Sequence, residues 1–128
     1  MPNFELRKLM ECTKEEKMSC LPLIDSIMEI ARAARHNGVL ALEDRIPEFE
    51  DHILKAGVTI IVDGCSREDN KEVMDTLIIS SGKTGVALMR QMIIRDGVLA
   101  IQDGENPSLI IKRLNAYLGE DIILELGR

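Results

Sequence analysis

Gly57-Val58-Thr59-Ile60-Ile61-Val62-Asp63-Gly64 is the stretch on which the fold turns. By propensity its β-branched centre reads as a strand bounded by glycines. No second run of this kind exists in the chain to pair with it, and a lone strand leaves its backbone groups unmatched. We therefore expect these residues to be helical against their propensity, which makes the chain all-α.

Upstream, Thr13-Lys14-Glu15-Glu16 has the form of a capping box, with Thr13 as N-cap and Glu16 reaching back. Leu21, Ile24, Ile27, Met28, Ala31 and Ala34 follow at helical spacing, and Pro22 either kinks this helix or restarts it. Asn37-Gly38 ends it, with Gly38 expected in the left-handed conformation. Val39-Leu40-Ala41-Leu42 is a short apolar stretch running into Glu43-Asp44-Arg45. Pro47 suits the first turn of another helix, passing Phe49, Ile53 and Leu54 and stopping at Gly57. Downstream, Ser66 caps a helix from Arg67 to about Ile79, and Ser80-Ser81-Gly82 is a break. A further helix is expected from about Lys83 to Arg95, stopped by Gly97. Asn106-Pro107 then starts a last one, running to about Leu118 with Gly119 closing it.

Gly38-Val39-Leu40-Ala41-Leu42-Glu43-Asp44 matches Gly97-Val98-Leu99-Ala100-Ile101-Gln102-Asp103, with five identities in seven, 59 residues downstream. Each copy follows a helix and precedes a proline-started one. The expectation is one domain over residues 1–128: a compact helical bundle of two pseudo-repeats, about 13–64 and about 83–118, joined by a linker at about 80–82. The unit would be helix, glycine turn, short helix, helix.

With 128 residues, 45% of them hydrophobic and 30% charged, the chain reads as a soluble globular protein. About two-thirds of the surface of such a chain is buried on folding, enough for one core without metal or disulfide. The apolar runs fall short of the roughly 18 residues a membrane helix needs. A net charge of −6 argues against nucleic acid or anionic lipid as partner. Phe4, Phe49 and Tyr117 are the only aromatics, too few for a platform on which bases stack. Cys12, Cys20 and Cys65 show no CxxC spacing, and Met1-Pro2-Asn3-Phe4-Glu5 is no signal segment. Reduced thiols and a cytoplasmic location are expected.

Chemistry-bearing patterns are scarce. Ser81-Gly82-Lys83-Thr84-Gly85 ends like a phosphate-binding loop, but the glycine required five residues before Gly82 is Leu77. We read it as a helix-to-helix linker. His36 and His52 lie far apart and beside no cysteine at metal-ligand spacing. Glu15-Glu16 and Glu48-Phe49-Glu50-Asp51 read as solvated faces. No catalytic residue, cofactor or metal is expected.

Arg35 falls on the apolar stripe of its helix, within about 20° of Ile24. A charge there either bonds the last carbonyls of the helix or projects past the bundle. Glu43 lies beyond the glycine turn, so the turn can present both charges on one tip and offer a partner opposite signs side by side. Arg35 and Glu43 are therefore the candidate protein-interaction residues.

Ala33-Ala34-Arg35-His36-Asn37-Gly38-Val39-Leu40-Ala41-Leu42-Glu43 resembles the A-R-x-x-G-[LIV]-L-A-L-E segment in the cytoplasmic loop of the flagellar stator family MotA. Ile53-Leu54-Lys55-Ala56-Gly57, with Thr59-Ile60-Ile61-Val62-Asp63-Gly64, is similar to that loop's F-L-x-x-G-L-x-L-V-V-D-G. The run from Ile93 to Pro107 resembles the family's L-I-x-x-G-[IV]-L-A-I-Q-x-G-x-N-P. The resemblance covers roughly Leu21 to Leu118. It implies a non-catalytic motor module in which Arg35 and Glu43 face the rotor protein FliG or another motor component. The family's membrane helices have no counterpart here, the second pair being replaced near Ile79 to Lys83 by a short linker, so the chain is not expected to conduct ions or insert in a membrane. The alternative is a structural or regulatory homo-oligomer that keeps the fold without binding the rotor.

Overall fold

The computed structural model describes residues 3–128; Met1 and Pro2, read above as part of the opening without a signal segment, lie outside the described residues. The elements are α1 (Phe4–Leu9), α2 (Lys14–Met18), α3 (Leu21–Asn37), a 3-10 helix (Val39–Glu48), α4 (His52–Val62), α5 (Arg67–Ser81), α6 (Gly85–Gln102), α7 (Pro107–Asn115), a 3-10 turn (Ala116–Leu118) and α8 (Glu120–Leu126). Among the described residues there is no strand.

The deciding stretch is helical. Val58 is fully buried and Ile61 nearly so, on the face of α4 turned to its neighbours. Burying such a side chain is worth about 1.5–3 kcal/mol, whereas a β-branched residue in a helix costs at most about 0.7 kcal/mol. Tertiary burial therefore outweighs propensity.

Gly57 does not stop this helix. It lies inside α4 at a close crossing, where a Cβ would sit 2.8 Å from Met74 Sδ on α5 and 2.8 Å from Val98 Cγ1 on α6. Gly97 likewise lies inside α6, where a Cβ would meet Ile27 Cγ2 of α3 at 2.6 Å. Both glycines are selected by the approach of neighbouring helices. Local sequence presents them as breaks because a mid-helix glycine costs about 1 kcal/mol relative to alanine.

Other boundaries differ for local reasons. Pro47 lies within the 3-10 helix, and α4 begins five residues later, capped by Asp51, whose Oδ1 accepts from Ile53 N and Leu54 N at 2.8 and 2.9 Å. Ser80 and Ser81 complete α5, and the break falls at Gly82, which is left-handed. The start of α6 is at Gly85, not Lys83. Gly38 ends α3, but at φ 86° and ψ 159°, outside the left-handed helical region expected for it. The capping box at Thr13 and Glu16, the Ser66 cap, and the Asn106-Pro107 start all stand where the sequence puts them. Pro22 sits in the first turn of α3 and restarts the helix.

The two copies of the glycine heptad do not share a conformation. Gly38 is a turn followed by 3-10 geometry, with Leu42 buried and Leu40 exposed. Gly97 is mid-helix, with Val98 to Ile101 all buried. The closer structural correspondence lies 40 residues apart, between α4–α5 and the second half of α6 with α7. Both helices end in a Schellman motif: Cys65 N donates to Ile60 O at 3.2 Å, and Glu105 N to Ala100 O at 3.1 Å. Gly64 and Gly104 take φ 78° and 69°. Met74 covers Gly57 on α5, and Leu114 covers Gly97 on α7 at the equivalent place.

The core gathers on α6, which packs against α3, α4, α5 and α7 and carries ten buried residues. Ile, Leu, Val, Met and Ala fill it, with Ile24, Ile27, Met74, Ile93 and Leu114 among the fully buried side chains. The carboxyl ends of α3, α4 and α6 meet at one end of the bundle. Arg35 reaches Glu105, Gln102 Nε2 donates to Cys65 O at 3.0 Å, and Arg67 pairs with Asp103 there.

Candidate functional site

Arg35 is exposed in the last turn of α3. Its Nη1 donates to the Glu105 carbonyl at 3.4 Å, so it is steadied by the turn between α6 and α7 and not by the end of its own helix. Glu43 is exposed on the 3-10 helix, next to the buried Leu42. That segment is fastened to α3 by an ion pair between Arg45 and Glu29. Glu43 has no hydrogen bond or ion pair among the described residues, and none joins it to Arg35. The turn at Gly38 thus leaves both charges open to solvent without bringing them into contact with each other.

The contact to Glu105 leads into a charged groove. It has a volume of about 550 Å³ and runs between α5, α6 and α7, lined by Arg67, Arg95, Asp96, Asp103, Glu105 and Arg113. Arg67 Nε donates to Asp103 Oδ2 at 2.9 Å, and its Nη1 to Glu68 at 3.3 Å. Arg113 Nε lies 2.8 Å from both Glu105 oxygens. Deeper in, Arg95 makes three bonds to carboxylates: it holds Asp75 through Nε at 2.5 Å and Nη2 at 3.3 Å, and Asp96 through Nη1 at 2.9 Å. The Tyr117 hydroxyl donates to the other oxygen of Asp96.

These contacts set the local titration. Burial pushes the Asp75 carboxyl upward, but hydrogen bonds from Arg95 and Lys71 outweigh it and hold it below the usual carboxylate range. Burial, then the charge of Asp96, pushes the Tyr117 phenol well above its ordinary value. The Arg95 guanidinium is held charged by its bond to Asp75. Burial raises the Cys20 and Cys12 thiols, so neither is an activated thiolate.

The remaining polar patterns do not converge. His36 and His52 are both exposed, on α3 and α4. Among the described residues no group of three His, Cys, Asp or Glu is placed to hold a metal ion. Within Ser81-Gly82-Lys83-Thr84-Gly85, the Thr84 side chain makes no capping bond to α6. Ser81 Oγ instead accepts from Gln91 Nε2 at 3.1 Å. No helix among the described residues is long and apolar enough to cross a membrane.

The groove residues were not singled out by sequence. Arg67, Asp103, Glu105 and Arg113 become neighbours only because α5 and α7 fold back along α6. The available signal was the pair of Asp-Gly turns at 63–64 and 103–104, which places Arg67 and Glu105 just past two equivalent helix ends.

The chain is similar to Motility protein A. Over 64 residues, half of this chain and 24% of the relative, it is 38% identical to Motility protein A of Helicobacter pylori. It is 40% identical over 62 residues to Motility protein A of Bacillus subtilis, and 30% identical over 81 residues to the uncharacterized protein YtxD of the same organism. The matched regions span 48% and 60% of this chain, and 23% and 30% of those relatives. The chain therefore corresponds to less than a third of the length of the curated relatives it matches. No protein-family model matches it, and no solved structure matches it with significance.

Proposed function

We propose that these residues form a non-catalytic, cytoplasmic protein-interaction module of a flagellar motor. In this reading the module contacts the rotor protein FliG, or another motor component, through Arg35 and Glu43 and takes no part in conducting ions. The observation that carries it is the similarity to Motility protein A over half the chain, joined to the exposure of both charges on either side of Gly38. Leu42 fixes one charge outward and Glu105 steadies the other, so the tip meets a partner partly ordered. Charges of this kind govern on-rate and specificity more than raw affinity.

Calorimetric titration with the host's FliG C-terminal domain at low and moderate salt tests the reading. Binding that weakens with salt supports it. Absence of binding in both buffers favours the homo-oligomer, which light scattering after size exclusion detects.

A further inference from the structure

We propose that the partner seats one aliphatic side chain in the small apolar cleft beside Arg35, against Leu40, with a carboxylate next to it for Arg35 and a base for Glu43. The inference rests on the reading of the Arg35 tip as a docking surface and names what that surface takes.

The cleft follows from two small residues. Ala31 and Ala34 lie one turn apart on α3, both buried, and their side chains stop at Cβ. A gap is left there against Ile101 of α6 and Ile110 of α7, and Val39 of the 3-10 helix adds a further wall. Its volume is about 90 Å³. That is less than the roughly 150 Å³ apolar cavity that accepts a benzene ring, so it suits a single aliphatic chain. Arg35 and Glu105 complete the lining. The bond between them, at 3.4 Å, is long enough to be weak and to yield to an incoming group.

Leu40 follows Val39 in the chain and is 69% exposed. Backbone geometry is the cause. Leu42 is fully buried and pins the 3-10 helix, whose three-residue turn carries Leu40 outward and sets Glu43 one turn further along the same edge. In the matching heptad, which is α-helical, Leu99 is buried. A lone exposed leucine is ordinary, but this one adjoins an apolar cleft and lies between two uncompensated charges.

Those charges decide what flanks the aliphatic chain. Arg35 has no carboxylate partner among the described residues, since its one bond goes to a carbonyl. The Glu105 carboxylate is held by Arg113 through contacts of 2.7 and 2.8 Å, so it does not neutralise Arg35. Glu43 is unpaired among the described residues as well. An apolar centre inside a polar rim is the anatomy of a protein interface. Affinity concentrates in such a desolvated centre, whereas the rim charges set on-rate and specificity.

The test compares wild type, Leu40→Ser, Ala34→Leu and Arg35→Glu for association and dissociation rates with the FliG C-terminal domain at low and moderate salt, with folding checked by thermal melting. Leu40 is a surface residue, and the Ala34→Leu side chain grows into the cleft; Ala34→Val replaces it should it fail to fold. The inference expects Leu40→Ser and Ala34→Leu each to weaken binding by about tenfold or more, through faster dissociation and with the salt dependence of wild type. Wild-type dissociation in both folded variants, with Arg35→Glu still defective, overturns the apolar centre and leaves the charged tip standing. If wild type does not bind FliG, the rotor reading falls and the cleft is tested with N-acetyl-leucine at millimolar concentration, which joins an isobutyl group to a carboxylate. Methyl NMR shifts at Val39, Ile101 and Ile110 that N-acetylglycine does not produce, and that Ala34→Leu abolishes, support the cleft. No shift, or the same shift with N-acetylglycine, overturns it.

Discussion

The Arg35 guanidinium reaches the Glu105 carbonyl, Nη1 to O 3.4 Å, and so couples the end of α3 to the turn between α6 and α7. An arginine that sequence places at a helix end, where it would bond the last carbonyls of its own helix, is instead steadied by a segment 70 residues away. The consequence is a surface made of two parts of the chain, with Glu105 as the residue they share.

Gly97→Ala is expected to destabilise the protein. Alanine gains about 1 kcal/mol in helix propensity, but its Cβ would stand 2.6 Å from Ile27 Cγ2, a methyl on a stiff β-branched side chain. Overpacking at such a place costs about 1–3 kcal/mol, which offsets that gain and leaves a net loss of up to about 2 kcal/mol, seen as a lower denaturation midpoint in urea. Gly57→Ala should act in the same direction through Val98. Midpoints at or above wild type would mean that α3 and α6 are not this close.

Asp75 contributes stability that depends on pH. Its carboxyl is held below the usual range in the folded state, so the folded protein binds fewer protons than the unfolded one. The contribution is complete above the unfolded value of about 3.9 and disappears as pH falls through the lower folded value. Asp75→Asn should therefore be less stable than wild type near neutrality, by about 1 kcal/mol, with the gap closing below about pH 4. Denaturation curves across that range read the difference directly; a gap independent of pH would contradict the assignment.

Tyr117 is the single tyrosine of the chain, so its ionisation can be followed alone in the near ultraviolet. Burial and the neighbouring Asp96 raise its pKa, and stability from this group is present below the free phenol value of about 10 and lost as pH rises beyond it. Tyrosinate absorbance should grow only together with unfolding. Tyr117→Phe, which removes the bond to Asp96, should cost about 1–2 kcal/mol at neutral pH. A phenol titrating near its ordinary value in the folded protein would show that it is not held against Asp96.

What the sequence made legible was local. The Thr13–Glu16 box, the Ser66 cap, the Asn106-Pro107 start and the glycine at 119 are readable because a side chain bonds backbone within three residues, or because the turn needs a positive φ. Gly57 and Gly97 were misread for the opposite reason. Only Met74, Val98 and Ile27, brought in by other helices, show why no side chain fits there. Asp51 was passed over as a cap because Pro47 supplied an earlier start, and the 3-10 geometry that absorbs that proline leaves no mark in hydrophobic spacing. Of the candidate site, Arg35 and Glu43 stood out by pattern and both prove exposed. Arg67 and Arg113 carry no such pattern, since they meet across α6 only once the helices are packed.

The measurement that tests the central claim most directly is the affinity of Arg35→Glu and Glu43→Lys, each alone, for the FliG C-terminal domain at low salt. Both charges are solvent-facing and neither takes part in an ion pair among the described residues, so the variants should fold as wild type does. The account predicts that each reversal weakens binding by about tenfold or more, mainly through slower association. Unchanged affinity in both would contradict it and place any interface elsewhere on the bundle.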